Sequence, residues 1–226
     1  NFGINFAPLM FKNRYYLSLL ILVVILTLDQ LVKIWVKTHM QQGEEFLILN
    51  QSWARIHFVE NEGMAFGITL GGSFGKLLLS LFRIVAIGFL TYLLHRMIQA
   101  KEKVGIIVSF SMILAGAIGN MLDSAFYGLI FSNSGYHGGL SELLPASGGY
   151  APFLMGRVVD MFYFPMIEST FPSWFPIWGG EEFEFFRHIF NIADSSIFCG
   201  ICIFFIFYKG KKHINEVETS RPFEEL

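Results

Sequence analysis

Residues 15–35 read YYLSLLILVVILTLDQLVKIW, an apolar stretch in which fourteen uncharged residues precede the first charge, Asp29. A helix needs about 17–25 mostly apolar residues to cross the hydrocarbon core of a bilayer. A helix buried in a soluble core would instead show polar residues at helical spacing along one face. The pattern predicts a mainly α-helical membrane protein with four transmembrane helices. Three further stretches complete the set, at residues 77–94, 104–122 and 190–208.

The composition supports this class and excludes several others. Of the 226 residues, 54% are hydrophobic and 15% are charged, whereas soluble domains carry about 25% charged residues. The net charge of −2 and the two cysteines exclude a disordered chain, a disulfide scaffold and a nucleic-acid-binding protein. The first apolar stretch exceeds the roughly 7–15 residues of a signal-peptide core, so we expect it to remain in the mature chain.

The expected organisation is one integral membrane domain over residues 10–212. Residues 1–9 precede the first methionine, Met10, and we expect them to be a cloning remnant. The remaining segments are outer loops at 36–76 and 123–189 and a cytoplasmic tail at 213–226.

The basic residues predict the orientation of the spans. Lysine and arginine concentrate in cytoplasmic loops, and nine of the sixteen fall on one side of a four-span chain. Both termini are therefore expected in the cytoplasm and both long loops outside it. The nine are Lys12, Arg14, Arg96, Lys101, Lys103, Lys209, Lys211, Lys212 and Arg221.

The outer loops show strand-like patterns. Residues 54–61, ARIHFVEN, alternate as a half-buried strand does, and residues 156–164, GRVVDMFYF, are rich in β-branched and aromatic residues. Glycine, proline and aromatic residues dominate the rest of the second loop, which favours turns and interfacial aromatic anchors. We expect a small extracytoplasmic β-strand cradle.

Acidic residues recur at the outer ends of the predicted spans. Asp29 ends span one, Asp123 ends span three and Asp194 opens span four. Asn120 and Asn191 each precede an aspartate by three residues, which places them on the same helical face. Their amides are therefore expected to hydrogen-bond to those carboxylates and orient them. Charged groups in a bilayer are costly and usually functional, so the aspartates are candidate site residues.

Two carboxylates held close together suit hydrolytic chemistry. One of them keeps a proton, and the pair can then activate water and protonate a carbonyl oxygen. A helix N-terminus favours the ionised form of Asp194, whereas C-terminal ends disfavour it for Asp29 and Asp123. Asp160, in the second loop, is a fourth candidate, and the residues alone leave the choice of pair open. The alternative is that the aspartates cap helices or form ion pairs with Lys33, Arg83 or Arg157.

Five sequence blocks occur in order along this topology. They are Asp29-Gln30-x-x-Lys33, Asn61-x-Gly63-x-Ala65-Phe66, Gly119-Asn120-x-x-Asp123, Gly156-x-Val158-Val159-Asp160 and Phe190-Asn191-x-Ala193-Asp194. Together they resemble the bacterial lipoprotein signal peptidases, signal peptidase II, over about residues 11–210.

This resemblance implies a membrane aspartic endopeptidase whose catalytic pair is Asp160 and Asp194. It implies a substrate, a prolipoprotein cut just before a diacylglyceryl-modified cysteine, and a site on the outer side of the bacterial inner membrane. It implies no cofactor or metal, no nucleic-acid partner, contact with membrane lipid and a monomeric enzyme. The supporting polar shell would be Asp29, Lys33, Asn61, Asn120, Asp123 and Asn191.

Two features depart from the family pattern. The family usually has arginine directly after the Gly-Asn-x-x-Asp aspartate, and this chain has Ser124. Arg83 could supply a substitute cation, or it could extend to the membrane surface. The second loop is also long, with extra segments at 124–155 and 165–189. These could enlarge a lid over the site or be tolerated surface insertions.

Other signals are weaker. Gly71-x-Ser73-x-Gly75 matches a serine-hydrolase pattern but is expected to be a turn. Cys199 and Cys202 lie in an apolar span and are expected to pack as small residues against neighbouring helices. Two rival hypotheses remain, a small membrane carrier or lipid-binding protein that uses outer-face carboxylates, and an assembly protein whose outer loops bind a partner.

Overall fold

The computed structural model describes residues 7–62, 72–135, 139–185 and 187–219. Gly63, Ala65 and Phe66 of the second block lie outside these residues. The described helices are α1 (Ala7–His39), α2 (Gly72–Gln99), α3 (Val104–Leu122), α4 (Gly128–Ile130) and α5 (Ile192–Thr219). The described strands are β1 (Glu45–Leu47), β2 (Arg55–Asn61), β3 (Val158–Tyr163), β4 (Ile167–Thr170), β5 (Glu182–Phe185) and β6 (Ile189–Phe190).

Three described helical segments are long and apolar enough to cross a membrane: Asn13–His39, Gly72–Gln99 and Val104–Ile130. A fourth apolar segment, Ile192–Tyr208, is shorter. Many large apolar side chains on these helices are exposed, as expected of helices that face lipid. The three longer segments support a multi-pass membrane protein, and the fourth crossing stays a prediction.

The helix ends differ from those predicted. Helix α1 continues ten residues beyond Asp29, and α3 continues through a π-helical turn, Asp123–Tyr127, into α4. The placement of Asp29 and Asp123 at C-terminal helix ends is therefore wrong, and the dipole argument for them fails because that effect is confined to the last turn. The turn predicted around Ser73 is wrong as well, since α2 begins at Gly72.

The small sheet has the strand order β1-β2-β3-β6, and its neighbouring strands are antiparallel. Strand β2 alternates between buried and half-buried residues, because successive side chains point to opposite faces. The strands predicted within 54–61 and 156–164 are confirmed as β2 and β3. Phe190 pairs with Phe162 in the sheet, so its assignment to span four is wrong. Strands β4 and β5 form a separate hairpin.

The chain divides into two compact units. Unit 1 comprises Asn1–Leu28, Phe82–Gly119 and Ile192–Leu226, and unit 2 comprises Asp29–Leu81 and Asn120–Asn191. Unit 2 contains the sheet, and its apolar core gathers residues of α1, β2, β3 and the π turn. The fully or almost fully buried members of this core include Val36, Phe58, Tyr127, Phe131, Val159 and Met161.

Helices α3 and α5 pack closely within unit 1. A Cβ atom at Gly116 would collide with the Ala193 carbonyl oxygen, and one at Gly200 would lie 2.7 Å from Ile113 Cγ1. Small residues allow such close approach between membrane helices. Cys199 and Cys202 are instead exposed free thiols, so the prediction that they pack against neighbouring helices is wrong.

Candidate active site

The structure brings seven of the eight predicted site residues into unit 2. The eighth, Asp194, lies in unit 1, where it is half-buried in the first turn of α5. Its placement at a helix N-terminus is confirmed. The seven residues of unit 2 are Asp29, Lys33, Asn61, Asn120, Asp123, Asp160 and Asn191.

Lys33 is the centre of a buried ionic cluster. Its Nζ lies 2.9 Å from Asp29 Oδ2, one helical turn earlier on α1, and 2.8 Å from Asp123 Oδ2 in the π turn. It also donates a hydrogen bond of 3.0 Å to Asn120 Oδ1. All three charged side chains are fully shielded from solvent. Buried charges persist only when paired and hydrogen-bonded, and Lys33 provides that pairing for both acids.

Gln30 completes the coordination of the two carboxylates. Its amide nitrogen donates to Asp123 Oδ1 at 2.9 Å and to Asp29 Oδ2 at 3.1 Å, and its carbonyl oxygen accepts from the Tyr127 hydroxyl at 3.1 Å. The backbone N–H of Val159 donates to Asp123 Oδ2 at 3.2 Å. Asp123 therefore ties the membrane helix α1 to strand β3, next to Asp160.

The π-helical turn and a glycine fix this junction. Gly156 N donates to the Ser124 carbonyl oxygen at 2.8 Å, and a Cβ at Gly156 would collide with the carbonyl oxygen of Asp123. Close backbone approach therefore explains the glycine of the Gly-x-Val-Val-Asp block. Ser124 is itself buried, and its hydroxyl donates to the Asn120 carbonyl oxygen at 3.1 Å.

Asp160 is held by two amides. Asn191 Nδ2 donates to Asp160 Oδ1 at 2.7 Å, and Asn61 Nδ2 donates to Asp160 Oδ2 at 3.3 Å. Asn191 Nδ2 also lies 3.1 Å from Asn120 Oδ1. The side chains of Asp160 and Asn191 are 4% and 0% exposed. A continuous polar network therefore runs from Asp160 through Asn191 and Asn120 to Lys33.

A second ionic cluster was not predicted. Lys37, one turn beyond Lys33 on α1, pairs with Glu60 and donates to Ser134 Oγ at 2.8 Å. Arg157 Nη1 lies 2.9 Å from the other Glu60 oxygen. Lys37 and Glu60 are buried. The i,i+4 spacing of Lys33 and Lys37 was the available signal, since it puts both ammonium groups on the face of α1 that packs on β2 and β3.

The charges of the second cluster extend towards α2. Glu62 pairs with Lys76 and accepts from Arg157 Nε at 3.1 Å. Partial burial raises the pKa of Glu62, but the bonds to Lys76 and Arg157 outweigh it and hold the pKa below its usual value. Burial likewise raises the pKa of Tyr150, whose hydroxyl accepts from Arg157 N. The residues that line a cavity of about 390 Å³ include Glu62, Lys76, Tyr150 and Arg157.

Arg157 therefore has a different partner from the one predicted for it. The sequence offers Arg157 as one of three basic partners for the aspartates, and in the structure it pairs with Glu60 and Glu62 instead. Lys33 does pair with Asp29 and Asp123. For Asp29 and Asp123, the alternative that the aspartates form ion pairs with basic residues is thus confirmed. These ion pairs would position the site and take no part in the reaction.

The sequence and the fold match known proteins. The family model described as signal peptidase (SPase) II matches residues 21–209. A lipoprotein signal peptidase of Porphyromonas gingivalis (strain ATCC 33277) is 50% identical over 213 residues, which cover 89% of this chain and 91% of that protein. The lipoprotein signal peptidase of Amoebophilus asiaticus (strain 5a2) is 32% identical, over 84% of this chain and 75% of that protein.

Two solved structures share the fold. A bacterial membrane enzyme solved by the in meso method at 1.9 Å resolution has a TM-score of 0.54 and 25% identity, over 84% of this chain and 90% of that chain. A second, at 2.3 Å resolution, has a TM-score of 0.53 and 21% identity, over 92% and 93%. The chain belongs to the signal peptidase II family. It is accordingly a multi-pass membrane peptidase of lipoprotein processing.

Proposed function

We propose that this peptidase removes the signal peptide of prolipoproteins by aspartic catalysis at Asp160 and Asp194, cutting before a diacylglyceryl-modified cysteine. The observation that carries the proposal is the environment of Asp160, a buried carboxylate held by the amides of Asn61 and Asn191. Asn191 directly precedes α5, which bears Asp194 in its first turn. One short segment thus connects the residue that holds Asp160 to the second aspartate.

The chemistry requires one ionised and one protonated carboxyl group. The ionised group takes a proton from water, the water oxygen bonds to the scissile carbonyl carbon, and the protonated group donates to the carbonyl oxygen. When the tetrahedral intermediate collapses, the C–N bond breaks and the leaving nitrogen takes a proton. The Lys33 cluster supports this arrangement without entering it, because it fixes Asn120 and, through Asn191, the position of Asp160.

We further propose four membrane crossings, with both termini in the cytoplasm and the site on the outer side of the inner membrane. The distribution of basic residues along the sequence supports this orientation. A lipid-anchored substrate presents its cleavage site at that surface, so a monomer in contact with membrane lipid has access to it.

The catalytic pair is tested by Asp160→Asn and Asp194→Asn. Each variant should unfold at nearly the wild-type temperature in detergent and cut a diacylglyceryl-modified prolipoprotein at least about 10²-fold more slowly, the usual contribution of an acid or base. Glu142→Gln is the matched control, because Glu142 is an exposed carboxylate of the second loop, and it should retain full activity.

Two outcomes would count against the proposal in different ways. Full cleavage by Asp194→Asn would remove Asp194 from the pair and leave the peptidase function standing. Failure of the folded wild-type enzyme to cut the modified substrate, or equal cutting of an unmodified one, would remove the substrate assignment.

A further inference from the structure

The β4–β5 hairpin lies outside both ionic clusters and carries a group of aromatic residues. Its pairing continues past the strands, since Phe171 N donates to Glu181 O at 2.9 Å and Gly180 N donates to Phe171 O at 3.0 Å. Phe175 N donates to Pro172 O at 2.8 Å within the loop. We call residues 171–178 the aromatic tip. Its backbone is closed by hydrogen bonds and therefore has a defined shape.

The aromatic tip has an internal cluster and an outward apolar surface. The Phe171 ring lies 5.0 Å from Phe175, 5.2 Å from Phe183 and 6.2 Å from Trp178, between ring centroids. Three residues of the aromatic tip expose apolar surface: Trp174 is 77% exposed, Ile177 is 87% exposed, and Trp178, a member of the cluster, is 49% exposed. An exposed apolar group of this size next to polar surroundings marks an interaction site.

Ile177 has two unfavourable features, a strained backbone and, if water surrounds the aromatic tip, an exposed apolar side chain. Its backbone φ is 76°, in the left-handed region that is strained for a β-branched residue. Its side chain is also almost fully exposed. Glycine would suit this position better in both respects, and strain of this kind is found where function requires the side chain.

The register gives the two faces of the hairpin different polarities. Glu168 pairs with Glu184 and Thr170 with Glu182, whereas Ser169 pairs with Phe183. Because successive strand positions alternate between faces, Thr170 and Glu182 share one face and Phe183 lies on the other. Thr170 and Glu182 are polar and exposed, so this polar face favours water, and only the opposite face and the aromatic tip suit an apolar medium.

The hairpin is connected along the chain, through β6, to the start of an apolar helix. It is inserted between β3 and β6, which pair with each other, and three residues connect it on each side. Each connection reaches at most about 14 Å. Asn191 alone separates β6 from α5, whose apolar segment is Ile192–Tyr208. Tryptophan prefers the membrane–water interface, where its ring is half in apolar surroundings.

We propose that the aromatic tip is a membrane-interface anchor. Trp174, Ile177 and Trp178 insert between the phospholipid headgroups and upper acyl chains of the leaflet from which α5 begins. Lipid fits better than a second copy of the chain, because three side chains fall well short of the roughly 800 Å² per partner that a stable dimer buries. The anchor would fix the height of β3 and β6, and so of Asp160, relative to the membrane.

Collision measurements on spin labels test this anchor. Cys199→Ala and Cys202→Ala give a background without the two free cysteines, and single nitroxide labels are placed at Trp174→Cys, Ile177→Cys and Thr170→Cys. In vesicles of phosphatidylethanolamine and phosphatidylglycerol, labels 174 and 177 should collide more often with oxygen than with a water-soluble nickel chelate. Thr170, exposed on the polar face opposite Glu182, is the matched control and should show the reverse.

The variant Ile177→Gly tests the insertion of the aromatic tip into the membrane separately from the folding of the protein. It should unfold in detergent at or above the wild-type temperature, because the positive φ no longer carries a side chain. In vesicles it should move the label at 174 towards water. Nickel access at 177 equal to that at 170 would overturn the proposal. The proposal would also be overturned if the labels at 177 were shielded from both reagents and their spectra were broadened by the label of a second copy of the chain. Neither result bears on cleavage, so the proposed function is tested separately.

Discussion

At the scale of single residues, Lys33 is the cation that pairs with two buried aspartates, Asp29 and Asp123. Lys33→Met leaves Asp29 and Asp123 close together without a cation. We expect a loss of about 3–5 kcal/mol in the free energy of unfolding, the usual cost of removing one partner from a buried ion pair. Thermal or denaturant unfolding in detergent micelles measures it.

A matched control is Arg55→Met, which removes a half-buried arginine from its ion pair with the exposed Glu45. Ion pairs at the protein surface contribute about 0–1 kcal/mol, so this variant should lose far less stability than Lys33→Met does. A Lys33→Met protein as stable as Arg55→Met would contradict the assigned role of Lys33.

Glu62 gives the protein an acid-dependent contribution to stability. Its pKa in the folded protein lies below the ordinary value of 4.5, because the bonds to Lys76 and Arg157 outweigh partial burial. A carboxyl group whose pKa is lowered by folding stabilises the folded state at pH values above its pKa in the unfolded chain. This stabilisation is lost as the pH falls through its pKa in the folded protein. Glu62→Gln should therefore cost about 0.2–1 kcal/mol near neutral pH, as partly exposed ion pairs do, and less with decreasing pH below 4.5.

Unfolding temperatures of the wild type and Glu62→Gln across an acid pH series measure this difference. In a Lys76→Met background the same substitution should have a smaller effect. A difference that grows towards low pH would have the wrong sign and would refute the interpretation.

Sequence reasoning identified site residues wherever a polar side chain interrupted an apolar segment. Asp29, Lys33 and Asp123 stood out in this way, and they form one cluster. Glu60 did not, because an acid on a half-buried strand has the same pattern as a solvent-exposed one. Its pairing with Lys37 and Arg157 depends on chain segments far apart in sequence, and local patterns do not report such contacts.

At the scale of elements, two glycines in unit 1 should respond oppositely to alanine. Gly116→Ala forces a methyl group into the Ala193 carbonyl on α5, and overpacking of this kind costs about 1–3 kcal/mol. A Cβ at Gly88 on α2 meets no atom within 4 Å, so Gly88→Ala should add roughly 0.5–1 kcal/mol through helix propensity. Unfolding of both variants in the same detergent tests the packing of α3 on α5.

The elements themselves were predictable to different degrees. Strands β2 and β3 showed alternation or β-branched runs, whereas β1 has three residues and β6 has two, too few for a period to appear. The π-helical turn at Asp123–Tyr127 follows a continuous helical pattern and has no signal of its own. Packing of Gly156 against the Asp123 carbonyl accompanies it in the structure, and that contact joins positions more than thirty residues apart.

At the scale of the whole molecule, the proposed topology predicts which positions an impermeant reagent reaches. In the cysteine-free background, Gln51→Cys in the first outer loop should react with a membrane-impermeant maleimide in intact spheroplasts. Ala100→Cys, between α2 and α3, should react only after the membrane is opened. Both positions are exposed, so their accessibility to the reagent depends on the side of the membrane. Labelling of both positions in intact spheroplasts would refute the four-span arrangement.

The direct pairing of β3 with β6 makes residues 164–188 a closed excursion from the sheet. Phe162 lies opposite Phe190, so the length of the excursion can change without shifting the register of β3, the strand that bears Asp160. The chain thereby separates the strands of the candidate site from a segment whose length can vary. For protein engineering, the same separation makes the excursion a natural site for an epitope tag or a fused domain.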